Sequence, residues 1–222
     1  MYRAIWPSHT YTHVKILTKS IKGSHDFRKL LTSNISINNC THIQHWKNCL
    51  NFEFDQSSWR IVNQLCFKTI EDKNLTWFQY KLIYRILGTQ SYMYKLKITE
   101  NSTCSLCSQH DETILHLFTS CQKVQNFSNN IKTWLEKKLN IYFDTTPIKF
   151  LFGDIFSYQK FHPINLIYMS AKQYIFHCSK SGKCLNIFEY QALLYAKYAE
   201  QNYLSHIEMR HDKFDKKNGY LS

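Results

Sequence analysis

Glycine and proline are scarce here, at five and three residues in 222, with the prolines at positions 7, 147 and 163. Folds made of short strands need such residues at their turns. Long stretches free of both therefore argue against an all-β protein and for a mainly α one. No run of about 18 apolar residues is present, so no membrane-spanning helix is expected. The opening Met1-Tyr-Arg-Ala-Ile-Trp-Pro7 lacks the apolar stretch of a signal peptide. The expectation is an intracellular chain, nuclear or cytoplasmic, whose eight cysteines are reduced or metal-bound rather than disulfide-paired. No glycine-rich phosphate loop and no nucleophile–base pairing stand out, which speaks against an enzyme or a small-molecule substrate. Acidic residues are also few: 16 against 28 Lys and Arg, for a net charge of +12 spread along the chain. Such a surface attracts polyanions, of which nucleic acid is the main intracellular one. The competing reading of the same charge is simple solubility, over which it favours nucleic acid by only about two to one.

What is present in excess is soft metal ligands at short spacing. Cys104-Ser-Leu-Cys107 is followed after eight residues by His116 and after four more by Cys121. Two cysteines two apart form a tight turn that aims both sulfurs at one centre, and a downstream His and Cys complete the tetrahedron taken by structural Zn²⁺. Three thiolates and a neutral imidazole leave no open position for a catalytic water, so one structural zinc is expected. The competing reading is buried thiols in a helical core; His110 is the alternative fourth ligand. Asp111 to Ser120 reads as a helix start, with acids in the first turn and Leu115, Leu117 and Phe118 to bury. A second cluster, Cys40, His42, His45 and Cys49, coincides with Ile43, Trp46 and Leu50 at helical spacing, and reads as an amphipathic helix with solvent-facing His.

Along the rest of the chain, residues 1–35 form a poorly determined arm. Ser57 or Ser58 caps a helix over 59–70 with Trp59, Val62, Leu65, Cys66 and Ile70 buried. A strongly apolar helix over 75–87 closes on Gly88, with Trp77, Phe78, Leu82 and Ile86 on one side. Lys81 and Arg85, four apart, share another face that either clamps a phosphate backbone or is merely solvated. A short helix over 91–96 leads to the metal turn. Beyond it come helices over 124–139, 147–153 (opened by Thr146-Pro147) and 164–179 (ended by Gly182). The last runs over 187–207, using Phe188, Leu194, Tyr195, Tyr198 and Tyr203, and the tail after Met209 is expected to fray. The expected architecture is an irregular helical bundle with an inserted CCHC zinc knuckle.

Three segments together carry a resemblance: Trp77-Phe-Gln-Tyr-Lys-Leu-Ile-Tyr-Arg-Ile-Leu-Gly-Thr-Gln90; Cys104-Ser-Leu-Cys107 with Glu112-Thr-Ile-Leu-His-Leu-Phe-Thr-Ser-Cys121; and the helix from Asn165 to Lys180. They resemble the C-terminal part of non-LTR (LINE-type) retrotransposon reverse transcriptases, over roughly residues 36–207. The resemblance implies a thumb- or wrist-like helical segment at 36–98, the zinc knuckle at 99–124 and a C-terminal helical segment at 125–222. The paired aspartates of that family's polymerase palm, which hold two Mg²⁺ ions, have no counterpart here. The resemblance therefore implies a non-catalytic accessory segment that contacts RNA or target DNA and partners the remainder of a reverse transcriptase. Lys81, Arg85, Lys95 and Lys97 would meet phosphates, and Tyr92 and Tyr94 would stack on bases. Ser128 stands where the family usually has Trp, which predicts a lost packing anchor. The alternative is a zinc-pinned helical module that binds a protein instead.

Overall fold

The computed structural model describes residues 41–69, 72–140, 142, 144–154 and 163–207. The expected arm at 1–35, Cys40, the Cys66 side chain, Ile70 and the tail after Met209 lie outside the described residues. Among the described residues the protein is mainly helical and has no strand, only an isolated antiparallel bridge between Thr103 and Asp111. The chain divides into two units, Met1–His45 and Trp46–Ser222. The helices are α1 (Thr41–Leu50), α2 (Gln56–Thr69), α3 (Lys73–Ile83), α4 (Gln90–Lys95), α5 (Gln122–Leu139), α6 (Pro147–Phe152), α7 (Pro163–Ser181) and α8 (Ile187–Ile207), with a π-helical turn at His116–Ser120. No described helix is long and apolar enough to cross a membrane.

Helix α7 is the centre of the second unit. Residues 164–172 are buried without interruption, including Ile164, Ile167, Tyr168 and Ala171, and Ile175 and Cys178 continue the buried run. Polar residues are buried with the apolar ones, and the Lys172 ammonium is satisfied there by donating to the Leu151 carbonyl. The helix packs against α2, α3, α8 and the π turn. A knot of rings fills the space beside it: Phe152 at the end of α6 meets Trp46, Phe54 and Trp59 edge-on at centroid distances of 5.2, 5.1 and 6.3 Å. The Trp46 indole N–H donates to the Ile83 carbonyl at 2.8 Å, satisfying its one polar atom.

Several caps differ from expectation. Asp55, not Ser57 or Ser58, caps α2: its carboxylate accepts from the Ser58 N–H and the Ser57 hydroxyl. Those bonds hold its pKa down at about 2. Asp72 caps α3 through the Asn74 and Leu75 amides and also binds Lys197 of α8 at 2.6 Å. Helix α3 stops at Ile83 rather than running to Gly88. Arg85 takes the left-handed conformation (φ 60°), and the Ile86 and Arg85 amides donate back to the Lys81 and Leu82 carbonyls. Arg85 is held there over the Trp46 ring, 5.7 Å from its centroid.

Two expected stripes are corrected as well. Trp77 and Ile86 are exposed at 57% and 47%, because the buried side of α3 is Leu75, Phe78, Gln79, Leu82 and Ile83. On α8, Phe188, Tyr195 and Tyr203 face solvent while Tyr190 and Leu194 are buried. The Tyr190 hydroxyl donates to the Ile167 carbonyl of α7 at 3.0 Å.

Gly153 is required where α6 ends. Its φ is 84°, and a Cβ there would lie 2.6 Å from the Asn165 Oδ1 and 3.1 Å from the Leu65 Cδ2. The same oxygen accepts the Asp154 amide at 2.7 Å, so it cannot move aside without losing that bond. Gly153→Ala is expected to destabilise by about 2–4 kcal/mol, the sum of overpacking and a strained backbone. Gly182, with φ 66° and nothing within 4 Å, carries only the backbone part. Chemical denaturation midpoints of the two alanine variants would check the difference; equal losses would contradict it.

Candidate metal centre

The loop from Ser102 to Glu112 is closed on itself by backbone bonds. The Glu112 amide donates to the Ser102 carbonyl at 2.7 Å, and the Cys104 amide to the His110 carbonyl at 2.8 Å. The Ser108 amide turns back to the Cys104 carbonyl at 2.8 Å, with Ser108 itself left-handed at φ 56°. Cys104 and Cys107 therefore face the same side of a rigid turn. The expectation of an ordinary helix start at Asp111–Ser120 is replaced by Ile114 and Leu115 running straight into the π turn. In an α-helix of about 3.6 residues per turn, positions five apart are separated by ~140° around the axis. The i→i+5 winding instead closes a turn between them, its bond running from the Cys121 amide to the His116 carbonyl at 2.8 Å. His116 and Cys121 thereby come to one side.

The result is a four-residue cluster. One ligand atom from each of Cys104, Cys107, His116 and Cys121 lies within 4.8 Å of the others, and the Cys107 Sγ sits 3.2 Å from the His116 Nε2. Tetrahedral zinc with bonds of about 2.3 Å to sulfur and about 2.0 Å to nitrogen needs ligand atoms on the order of 3.5–4 Å apart. Small side-chain rotations reach that spacing, so the residues fit one Zn²⁺. Cys104 and Cys121 are fully buried, His116 nearly so, and Cys107 half-buried.

The protonation pattern is that of ligands crowded around one point. The Cys121 thiol is lowered to about 7, chiefly by a hydrogen bond from Cys104, with the Val124 and Lys123 amides adding to it. Cys104 is pushed far up by donating that bond, and by burial. Cys121 is also the N-cap of α5, so its sulfur lies at the positive end of an 18-residue helix, where a thiolate is favoured. Burial, then the neighbouring His110, lowers His116, keeping its imidazole neutral as a metal ligand requires. The His110 ring is exposed and lies 5.3 Å from the His116 ring. It supplies a backbone carbonyl to the turn and is not part of the cluster.

Glu112, expected only to favour a helix start, is the residue that ties the centre to the bundle. It is completely buried. One carboxylate oxygen accepts the Gln90 amide at 3.0 Å and Lys180 Nζ at 3.3 Å; the other accepts the Ser179 hydroxyl at 2.7 Å and the Ser105 amide at 3.3 Å. It thus joins the N-terminus of α4, the metal turn and the end of α7. The Ser105 hydroxyl also donates to the Ser179 carbonyl at 2.7 Å, a second link to α7. A buried acid needs such partners, but two of them, Ser179 and Lys180, stand 67 and 68 residues away in the chain.

The other singled-out residues are not gathered at the metal. Tyr94, Lys95 and Lys97 are exposed at the end of α4 and just past it, and Tyr92 is half-buried. Lys81 is exposed on α3, but Arg85 does not share its face, lying half-buried beyond the helix end. Burial lowers the Arg85 pKa from its ordinary value. His42, His45 and Cys49 of α1 form no metal cluster among the described residues, though both His are half-buried rather than solvent-facing. Ser128 is buried on α5, beside Phe127, whose ring packs on Tyr174 and Tyr190 at 5.5 and 5.6 Å.

No curated protein matches the chain. Residues 24–127, which hold all four ligands, the Glu112 carboxylate and the whole of α1 to α4, match the family model described as zinc-binding in reverse transcriptase.

Proposed function

We propose that this chain is a nucleic-acid-binding accessory part of a reverse transcriptase of the non-LTR type, contacting RNA or target DNA and partnering the remainder of that enzyme. The supporting observation is how the metal turn holds α4. The Gln90 and Ser91 amides are tied to the Glu112 side chain and carbonyl, while the other end of α4 projects Tyr94, Lys95, Leu96, Lys97 and Ile98 into solvent. Zinc would act as a pin: three thiolates and one imidazole fill its coordination, and the chemistry it supplies is rigidity. The lysines, Lys81 among them, would meet phosphates, and Tyr92 and Tyr94 would stack on bases.

Titrating the zinc-loaded protein with labelled single-stranded RNA between about 50 and 200 mM salt tests this. Three or four neutralised phosphates give a log–log slope of about −2 to −3, hence a loss of roughly 15–60-fold over that range. No binding, or binding indifferent to salt, with zinc still at one per chain, would instead support the second reading: a zinc-pinned helical module that docks a protein. The exposed Phe188, Tyr195 and Tyr203 of α8 are the observation in its favour.

A further inference from the structure

Helix α3 carries on its outer face a run of rings that are not core. Trp77 is 57% exposed and stacks on Tyr80 at a centroid distance of 5.0 Å with an interplanar angle of 16°. Tyr80 in turn lies 4.4 Å from Tyr84, whose hydroxyl reaches Asn63 of α2 at 3.3 Å. The stack is thus anchored at one end and open at the other, where the indole ends it. Lys73 and Lys81 stand four residues before and four after Trp77, which puts all three on one face over ~12 Å of helix axis. Both lysines are exposed. No acid lies within α3, and the carboxylate of its cap, Asp72, is occupied by two backbone amides and Lys197. The face is therefore flat, aromatic and locally positive.

We infer that this face is a stacking site for an unpaired base of single-stranded nucleic acid, with Trp77 as the platform and Lys73 and Lys81 as the flanking phosphate contacts. The inference rests on the nucleic-acid reading above and gives it a place and a ligand class. A large exposed indole is costly to leave in water, and a base adds a further ring to the stacked Trp77–Tyr80 pair. A duplex does not offer a free base face, so the site discriminates for unpaired strands. The lysines act as point charges and read no sequence, so a preference among bases would be slight.

The test uses the full, zinc-loaded chain, with fluorescence anisotropy of a labelled oligouridylate and of an abasic strand of equal length. Trp77→Ala is expected to weaken oligouridylate binding by about 5–150-fold while leaving the abasic strand unchanged. Trp77→Phe should restore most of the affinity, and Trp77→Leu, equally apolar but not flat, should not. Lys73→Ala with Lys81→Ala should reduce the magnitude of the salt slope by about 1.4, two phosphates at about 0.7 each. Because Trp77 faces solvent, zinc content and far-UV circular dichroism should match wild type in all variants. Wild-type binding of oligouridylate that Trp77→Ala leaves intact would overturn this site while sparing the proposed function. Failure of the wild type to bind either strand would overturn the proposed function itself, and this site with it.

Discussion

Replacing Cys107 by Ser is expected to bring zinc from one per chain to background and to melt the segment from Ser102 to Cys121. A serine hydroxyl is a poor, hard ligand that stays protonated near neutrality, whereas zinc in closed sites takes thiolates. Structural zinc in small peptide sites contributes an apparent ~10–16 kcal/mol at neutral pH, far more than the core of that segment can supply. Cys107 is the informative choice because it is the least buried of the four, so the substitution removes a ligand with little loss of packing. His110→Ala, at an exposed ring outside the cluster, should retain full zinc. Zinc by elemental analysis after dialysis decides both. Retention in Cys107→Ser, or loss in His110→Ala, would mean a different ligand set.

The second large effect is expected at Glu112. Its carboxylate accepts four hydrogen bonds from three separate parts of the chain, three of them from backbone or serine donors and one from Lys180. Removing one partner from a buried charged network leaves the others unsatisfied, at about 3–5 kcal/mol. Glu112→Ala is therefore expected to cost that much. Glu112→Gln keeps the shape but turns an N–H₂ toward donors, at about 1–3 kcal/mol. Lys180→Met should cost less than either, since the lysine is about one-third exposed and its side of the pair is screened. Denaturation at fixed zinc, followed by circular dichroism, gives the order. If Lys180→Met proved the most costly, the ion pair rather than the amide and hydroxyl donors would be what holds the metal turn to α7.

The contrast between these two sites also shows what the sequence carries in readable form. The four metal ligands fall within 18 residues, and soft ligands at that spacing are a local signal that helix packing alone has no reason to produce. Helix α7 is legible only in part: Ile164, Ile167, Tyr168, Ala171, Ile175 and Cys178 mark one buried stripe, but the burial of Asn165, Ser170 and Lys172 beside it has no local signal. Helix α8 is less legible still. Phe188, Tyr195 and Tyr203 are as apolar as Tyr190 and Leu194, and only packing against α5 and α7 decides which side is buried. The π turn cannot be read from spacing, because residues five apart do not share a face in an ordinary α-helix and nothing local marks the i→i+5 bond between Cys121 and His116. Likewise α3 ends early at a left-handed Arg85 that lies over Trp46, 39 positions away, and periodicity carries no trace of that. Trp77 is hidden by the same limit: an apolar residue on a helix reads as core unless something marks it as outside.

The most direct test of the zinc pin is X-ray absorption at the zinc edge on the purified, unsubstituted protein. The expected shell is three sulfurs at about 2.3 Å and one nitrogen at about 2.0 Å, with one zinc per chain, supplied by Cys104, Cys107, Cys121 and His116. A shell dominated by nitrogen and oxygen, or zinc well below one per chain in the folded protein, would contradict it.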